Sequence, residues 1–411
     1  MKHRYTVIAF LFVLANLTYI DRICLSLAAV PIQTEMGLSP SQWGWVLGAF
    51  ALAYALFEIP AGVMGDRIGP RRVLTRIVLW WSVCTSLTSV VRGFWPLCIA
   101  RFLFGAGEAG AFPNSSATIA RWFPVRERGR AQALVFAGSR VGGALAPFII
   151  VPLQQAYGWR MSFIVFGLLG AIWGAAWYTW FRDVPPDPAK VETAVKQAVA
   201  VTRLDWGRTL KQSNLWCLAL MYHTYSWSGF FFQAWMYTFL AKARGFNMQD
   251  LLHLSWVPFL LAAVGSMVGG TVSDTLVKRV GLKWGRRIVG LVGLSASAVF
   301  ITAALLAPGK LECVVLLGLA YAASDCMLPV SWAVCLDIGG EHVGAVSGFM
   351  NTAGQLGSFL TSVAFGYVVI ASGSYELPLL GLALITGLSA VLWVTIDPTR
   401  PVCTHLPDEK A

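Results

Sequence analysis

The sequence predicts an all-α membrane protein of twelve transmembrane helices arranged as two six-helix, pseudo-symmetric halves. Three observations carry this. The 411 residues are 57% hydrophobic and only 12% charged, with a mean hydropathy of +0.65, far from the balance of a water-soluble domain. Twelve apolar stretches, each near the ~20 residues needed to cross a ~30 Å hydrocarbon core, are separated by short polar loops. One long polar insert divides them into six and six.

The spans fall at about 6–29, 43–64, 74–91, 96–117, 131–153 and 161–181, then 214–240, 252–276, 288–307, 313–336, 344–370 and 377–396. In lipid such runs satisfy their backbone hydrogen bonds only as helices, so no sheet is expected. Span 1 is too long for a signal-peptide core and lacks a small-residue cleavage site, so it is expected to be retained. The domains predicted are an N-terminal bundle at 1–182, a cytoplasmic linker at 183–213, a C-terminal bundle at 214–397 and a cytoplasmic tail at 398–411. The linker opens Asp183, Val184, Pro185, Pro186, Asp187, Pro188, and its middle, 189–203, has the composition of a surface helix.

The formal net charge is +11, which in a soluble protein would suggest nucleic acid. Its distribution says otherwise. Of the 31 Lys and Arg, Arg22, Arg101 and Arg140 lie deep within spans. Most of the others lie in or beside loops on one side, the positive-inside pattern that puts both termini in the cytoplasm. The basic loops therefore serve topology and anionic lipid, not nucleic acid. The eight cysteines form no CxxC pair and the histidines are scattered, so no metal site, cofactor motif or disulfide framework is indicated. Gly309 and Lys310 lack a Walker spacing, and no nucleophile and base motif stands out, which argues against an enzyme.

The charges inside the membrane point to function. A charge at the bilayer centre costs roughly 2.5–3.5 kcal/mol on insertion scales, so a chain keeps one where it faces a cavity, a partner or a ligand. Span 1 holds Asp21 and Arg22, and span 4 holds Arg101 and Glu108. Arg101, Gly105 and Glu108 are spaced i, i+4, i+7 and share one face. At ~1.5 Å per residue from Pro96, Glu108 lies ~18 Å deep. A carboxylate there is a candidate to take up and release a proton, or else one half of a permanent ion pair. Arg22 stays charged at every relevant pH and its planar fork matches a carboxylate. Asp21 and Arg22, being adjacent, point ~100° apart. Further candidates are Tyr54 and Glu58 on one face of span 2, Asp325, Pro329 and Trp332 in span 10, and Asn351 and Gln355 in span 11. Asp325 is either a further titrating acid or a hydrogen-bonding group at the Pro329 break. Glu58 is either a titrating group or a packing acid paired with Arg140. Span 7 is crowded with Tyr222, His223, Tyr225, Trp227, Gln233 and Trp235.

A short motif repeats. Gly62, Asp66, Arg67, Gly69, Arg71 and Arg72 follow span 2, and Gly270, Asp274, Arg279, Gly281, Arg286 and Arg287 follow span 8, with four extra residues between Asp and Gly in the second copy. The first copy fits the G-x-x-x-D-R-x-G-x-R-R signature at every fixed position and so resembles the major facilitator superfamily. Within it, Tyr19, Ile20, Asp21 and Arg22, and the run from Gly107 to Asn114, resemble the anion:cation symporter family, which includes bacterial sugar-acid transporters, sialin and vesicular glutamate transporters.

The resemblance implies proton-coupled symport of a small organic anion such as hexuronate or galactonate by a bacterial inner-membrane monomer. It implies Glu108 as the protonation site with Asp21 as its partner, both carrying protons; Asp325, by its depth in span 10, is a candidate for a further coupling acid. Arg22 is then the substrate anchor, helped by Tyr19, Tyr54, Tyr222, Trp332 and Asn351, with Arg101 either a further substrate contact or a group that tunes Glu108, and Gly62, Asp66, Arg67, Arg71 and Arg72 form a cytoplasmic gating loop. Anion exchange or potential-driven uniport is the alternative within transport, and a nutrient-sensing receptor the alternative outside it. The helix 2 histidine of the vesicular glutamate branch is missing, and the sequons at Asn16 and Asn114 lie at membrane depth, which favours a bacterial protein.

Overall fold

The computed structural model describes residues 2–123, 125–183, 206–339 and 343–402. All twelve predicted spans are helical, and no strand occurs among the described residues. Span 1 is α1 (Lys2–Leu27) and α2 (Ala29–Met36). Spans 2 and 3 are α3 (Pro40–Ile68) and α4 (Pro70–Thr88), and span 4 is α5 (Phe94–Glu108) and α6 (Ala111–Trp122). Spans 5 and 6 are α7 (Val125–Tyr157) and α8 (Trp159–Trp180). After the short α9 (Trp206–Thr209), span 7 is α10 (Ser213–Ala234) and α11 (Met236–Ala243). Helix α12 (Met248–Leu254) precedes α13 (Val257–Leu306), which holds spans 8 and 9. Span 10 is α14 (Lys310–Asp325) and α15 (Leu328–Gly339), and spans 11 and 12 are α16 (Val343–Ser372) and α17 (Leu377–Thr395). The expected surface helix at 189–203 and the tail from 403 lie outside the described residues, as do the side chains of Gly62, Asp66 and Arg67.

Spans 1, 4, 7 and 10, one in every three, are each two helices. Proline explains three of the breaks. Lacking an N–H, it leaves the carbonyl four residues earlier unpaired and crowds it. Pro31, Pro113 and Pro329 stand so that the affected carbonyls belong to Leu27, Ala109 and Asp325, at the interruptions themselves. Span 7 has no proline there. Such breaks are tolerated in a membrane where the backbone faces protein or a cavity and not lipid. They place Glu108 as the last residue of α5 and Asp325 as the last of α14, matching positions in the two halves.

The repeated motif has a repeated backbone. Gly69 (φ 96°) separates α3 from α4, and Gly281 (φ 82°) kinks α13 between spans 8 and 9, both in the region that favours glycine. The following arginines tie back to the last span of their half. Arg71 Nε donates to the Tyr178 carbonyl at 2.9 Å, and Arg287 Nε to the Ile396 carbonyl at 2.8 Å. A carboxylate follows each time. Asp183 Oδ1 accepts from the Arg71 backbone N–H at 2.9 Å, and Asp397 pairs with Lys283 at 2.9 Å.

Contacts gather the chain into two compact units. The first is Met1–Ala194, Phe230–Leu260 and Ser358–Pro378, and the second Val195–Gly229, Leu261–Gly357 and Leu379–Ala411. In the first, α5 lies so close to α3 that a Cβ on Gly105 would overlap the Phe50 carbonyl. Small residues permit such approach between membrane helices. On the loop side, Glu35 at the end of α2 accepts from Trp159 Nε1 at 2.8 Å and Arg160 Nη1 at 2.6 Å, anchoring the second half of span 1 to the start of α8. Gly105→Val, facing backbone that cannot swing aside, is expected to destabilise the protein by about 1–3 kcal/mol, seen as a lower unfolding temperature in detergent.

In the second unit, Asp397 accepts from the Thr399 hydroxyl at 2.6 Å, and this bond with the Lys283 pair holds its carboxyl well below the usual carboxylate range. A carboxyl lowered in the folded state stabilises the fold above its unfolded value near ~4, and the benefit fades as pH falls below that. Asp397→Asn is therefore expected to lower the unfolding temperature at pH 7 and to have a smaller effect at pH 3, measured by thermal denaturation at the two pH values.

Candidate functional site

Helices α1 and α5 bring the predicted charges together. Arg22 points its Nε and Nη2 at a single oxygen of Glu108, Oε1, at 2.6 Å and 2.5 Å. Glu108 is fully buried, and its second oxygen, Oε2, has no hydrogen-bond partner. The direct partner of Glu108 is thus Arg22 and not Asp21. The fork supplies two charge-assisted bonds to one oxygen, whereas two carboxylates side by side repel.

Three aromatic rings enclose the Arg22 guanidinium. Its central carbon lies 5.4 Å from the ring centre of Tyr19, 5.0 Å from Phe50 and 5.2 Å from Tyr54. Negative ring faces hold a cation without neutralising it, so the cage positions Arg22 and leaves its charge available. Arg140 of α7 donates to the Tyr19 hydroxyl at 3.2 Å, fixing one wall.

Arg101 is arranged differently. It is buried and lies over Phe104 at 4.6 Å and Phe50 at 5.0 Å, but it makes no hydrogen bond or salt bridge among the described residues, and its Nε is sealed from solvent without a partner. Asp21, also buried, lies within electrostatic reach of Arg101 and Glu108, with its Oδ1 unpartnered.

Arg22 and Arg101 line one cavity with Ser26, Phe50, Phe230 and Gln233, within the first compact unit. The space is about 10 Å³, room for one water at most. Ser26 Oγ donates to the Gln233 carbonyl at 2.6 Å and closes one end. Gln233 stands among the polar residues noted in span 7, but Ser26 and Phe230 were not anticipated. The available signal for Ser26 is its spacing, four residues after Arg22 and so on the same face.

The second unit holds the other predicted residues. Asp325 is fully buried at the break of span 10 and accepts from the Tyr225 hydroxyl at 3.1 Å. The Tyr222 ring packs on Tyr225 at 5.3 Å between centres, and Trp332 borders the same apolar cluster. Asn351, half-buried on α16, lies one turn before Gly354, where the helix abuts Tyr222 and Ser226. His223 is a structural tie. Its Nδ1 bonds the Ala353 carbonyl at 2.9 Å and its Nε2 accepts from Trp227 Nε1 at 3.4 Å. Of the loop residues, Arg71 is committed to the end of α8, and Arg72 is exposed.

Removing one partner of a buried pair strands the other's charge, at a cost of about 3–5 kcal/mol. Arg22→Ala is expected to destabilise the protein by that order, and adding Glu108→Gln to recover most of the loss. A double-mutant cycle of unfolding temperatures checks this, and additive losses would show that the two residues are not coupled.

The sequence matches the family model described as Major Facilitator Superfamily over residues 11–282. Its relatives align end to end. The chain is 33% identical to the probable sulfoacetate transporter SauU of Cupriavidus necator, covering 100% of this chain and 97% of the relative. It is 30% identical to the hexuronate transporter of Bacillus subtilis, covering 98% of each, and 28% identical to the probable L-galactonate transporter of Escherichia coli, covering 95% and 88%. The fold is similar to the crystal structure of a bacterial homolog of the human lysosomal transporter Spinster, with a TM-score of 0.78 at 20% identity over 96% of this chain and 97% of that one. Twelve helical spans, the loop signature and these matches together establish that the chain belongs to the major facilitator superfamily, and that it is a multi-pass membrane transporter and not an enzyme.

Proposed function

We propose that the protein carries a small organic anion together with protons across a bacterial inner membrane by alternating access, as a monomer with both termini cytoplasmic. One observation carries the reading: the fork of Arg22, a natural partner for a carboxylate, is held by Glu108 at the wall of a cavity. A substrate carboxylate and Glu108 therefore compete for the same donors. A proton on the free Oε2 of Glu108 removes its charge and releases Arg22 to the substrate. When the substrate leaves, Arg22 recaptures the carboxylate and the proton is expelled. Occupied and empty carriers then bury similar net charge, which makes both easier to reorient than a half-loaded one.

Asp21 is the second proton carrier, within electrostatic reach of the pair. Asp325, at the matching break of span 10, is a further coupling acid. Tyr19 and Tyr54 shape the substrate's carboxylate end and Arg101 lies on the same wall, while Tyr222, Trp332 and Asn351 are assigned to the rest of the molecule. The loop of Gly62, Asp66, Arg67, Arg71 and Arg72 gates the cytoplasmic side. The named substrates of the relatives, sulfoacetate, hexuronate and L-galactonate, are all organic acids, which supports the same class here.

Glu108→Gln is expected to abolish substrate accumulation driven by a proton gradient in proteoliposomes while leaving counterflow exchange measurable. Accumulation that survives this change would overturn the role assigned to Glu108.

A further inference from the structure

Within the organic-anion class, on whose assignment this inference rests, the geometry points to a substrate carrying two acid groups on a short spacer, in preference to a single-acid sugar. Arg101 is the observation that carries it. A buried guanidinium is costly unless its donors are met, and every other arginine buried in the N-terminal spans has a polar partner: Arg22 has Glu108 and Arg140 has Tyr19. Arg101 has aromatic faces and, among the described residues, no hydrogen-bond acceptor, yet lines the same cavity as Arg22. It is a second anion seat.

The two seats are close. Each guanidinium carbon lies 5.0 Å from the centre of the Phe50 ring, so the two are at most about 10 Å apart. A bidentate guanidinium–carboxylate pair takes up about 4 Å between carbons. Two acid groups separated by one or two carbons therefore reach both arginines, with Phe50 and Phe230 against the spacer.

Charge balance agrees. The charges at membrane depth in the N-terminal spans are the half-buried Arg22 and the buried Arg101 and Arg140 against the buried Asp21, Glu58 and Glu108, a neutral set. Protons on Asp21 and Glu108 leave two positive charges, which a dianion cancels and a monoanion does not. An uncancelled charge at this depth opposes reorientation.

The test uses purified wild-type protein, titrated at matched ionic strength with malonate, succinate and sulfoacetate on one side and gluconate, glucuronate and acetate on the other, following the unfolding temperature. The two-acid compounds are expected to half-saturate at concentrations at least roughly tenfold lower, the worth of one further charge-assisted contact. Single acids that bind as well as or better than the two-acid compounds would overturn the inference while leaving organic-anion transport standing. Stabilisation by none of the acids would remove both. Arg101→Gln is expected to erase the difference between the classes. Should that variant fail to fold, Arg101→Lys, which keeps the charge and loses the fork, is expected to narrow the difference, and the wild-type series decides without either.

Discussion

The bond between Arg22 and one oxygen of Glu108 is the constraint that joins spans 1 and 4 at membrane depth, with span 2 packed against it. Two charges taken out of water cost several kcal/mol each, and their attraction repays this only when geometry is close and donors are met. Here the fork supplies both donors to Oε1, three rings hold the cation in place, and Gly105 lets α5 approach α3 closely enough for Phe50 to serve both arginines. The pair is nevertheless incomplete, because Oε2 is left without a partner.

The broken helices give that bond its setting. Proline after the interruption removes a backbone donor in spans 1, 4 and 10, and the chain spends this local loss at the positions where acids stand, Glu108 and Asp325. The two acids occupy equivalent places but have different partners: an arginine for Glu108, a tyrosine hydroxyl for Asp325. The same duplication with divergence is seen in the loops. Gly69 and Gly281 share a backbone conformation and their arginines share a carbonyl anchor, while the carboxylates Asp183 and Asp397 are bound by different groups.

The amino-acid sequence by itself determined the twelve spans, the helical class and the family, because hydrophobic length, charge asymmetry and a fixed-spacing loop signature are local properties that survive without coordinates. It also placed Asp21, Arg22, Arg101 and Glu108 at membrane depth, since a charge within an apolar run is visible by itself. Tertiary structure decided which of them meet. Helical spacing sets the face of a residue but not its neighbour on another helix, so both the choice of Arg22 over Asp21 as the partner of Glu108 and the bare guanidinium of Arg101 emerged only from packing. Ser26 and Phe230 were illegible for the same reason, being ordinary residues in apolar runs until α1 and the end of span 7 enclose one cavity. His223 shows the converse: one of the polar residues that crowd span 7 in sequence is tied in place once a carbonyl and an indole meet its two nitrogens.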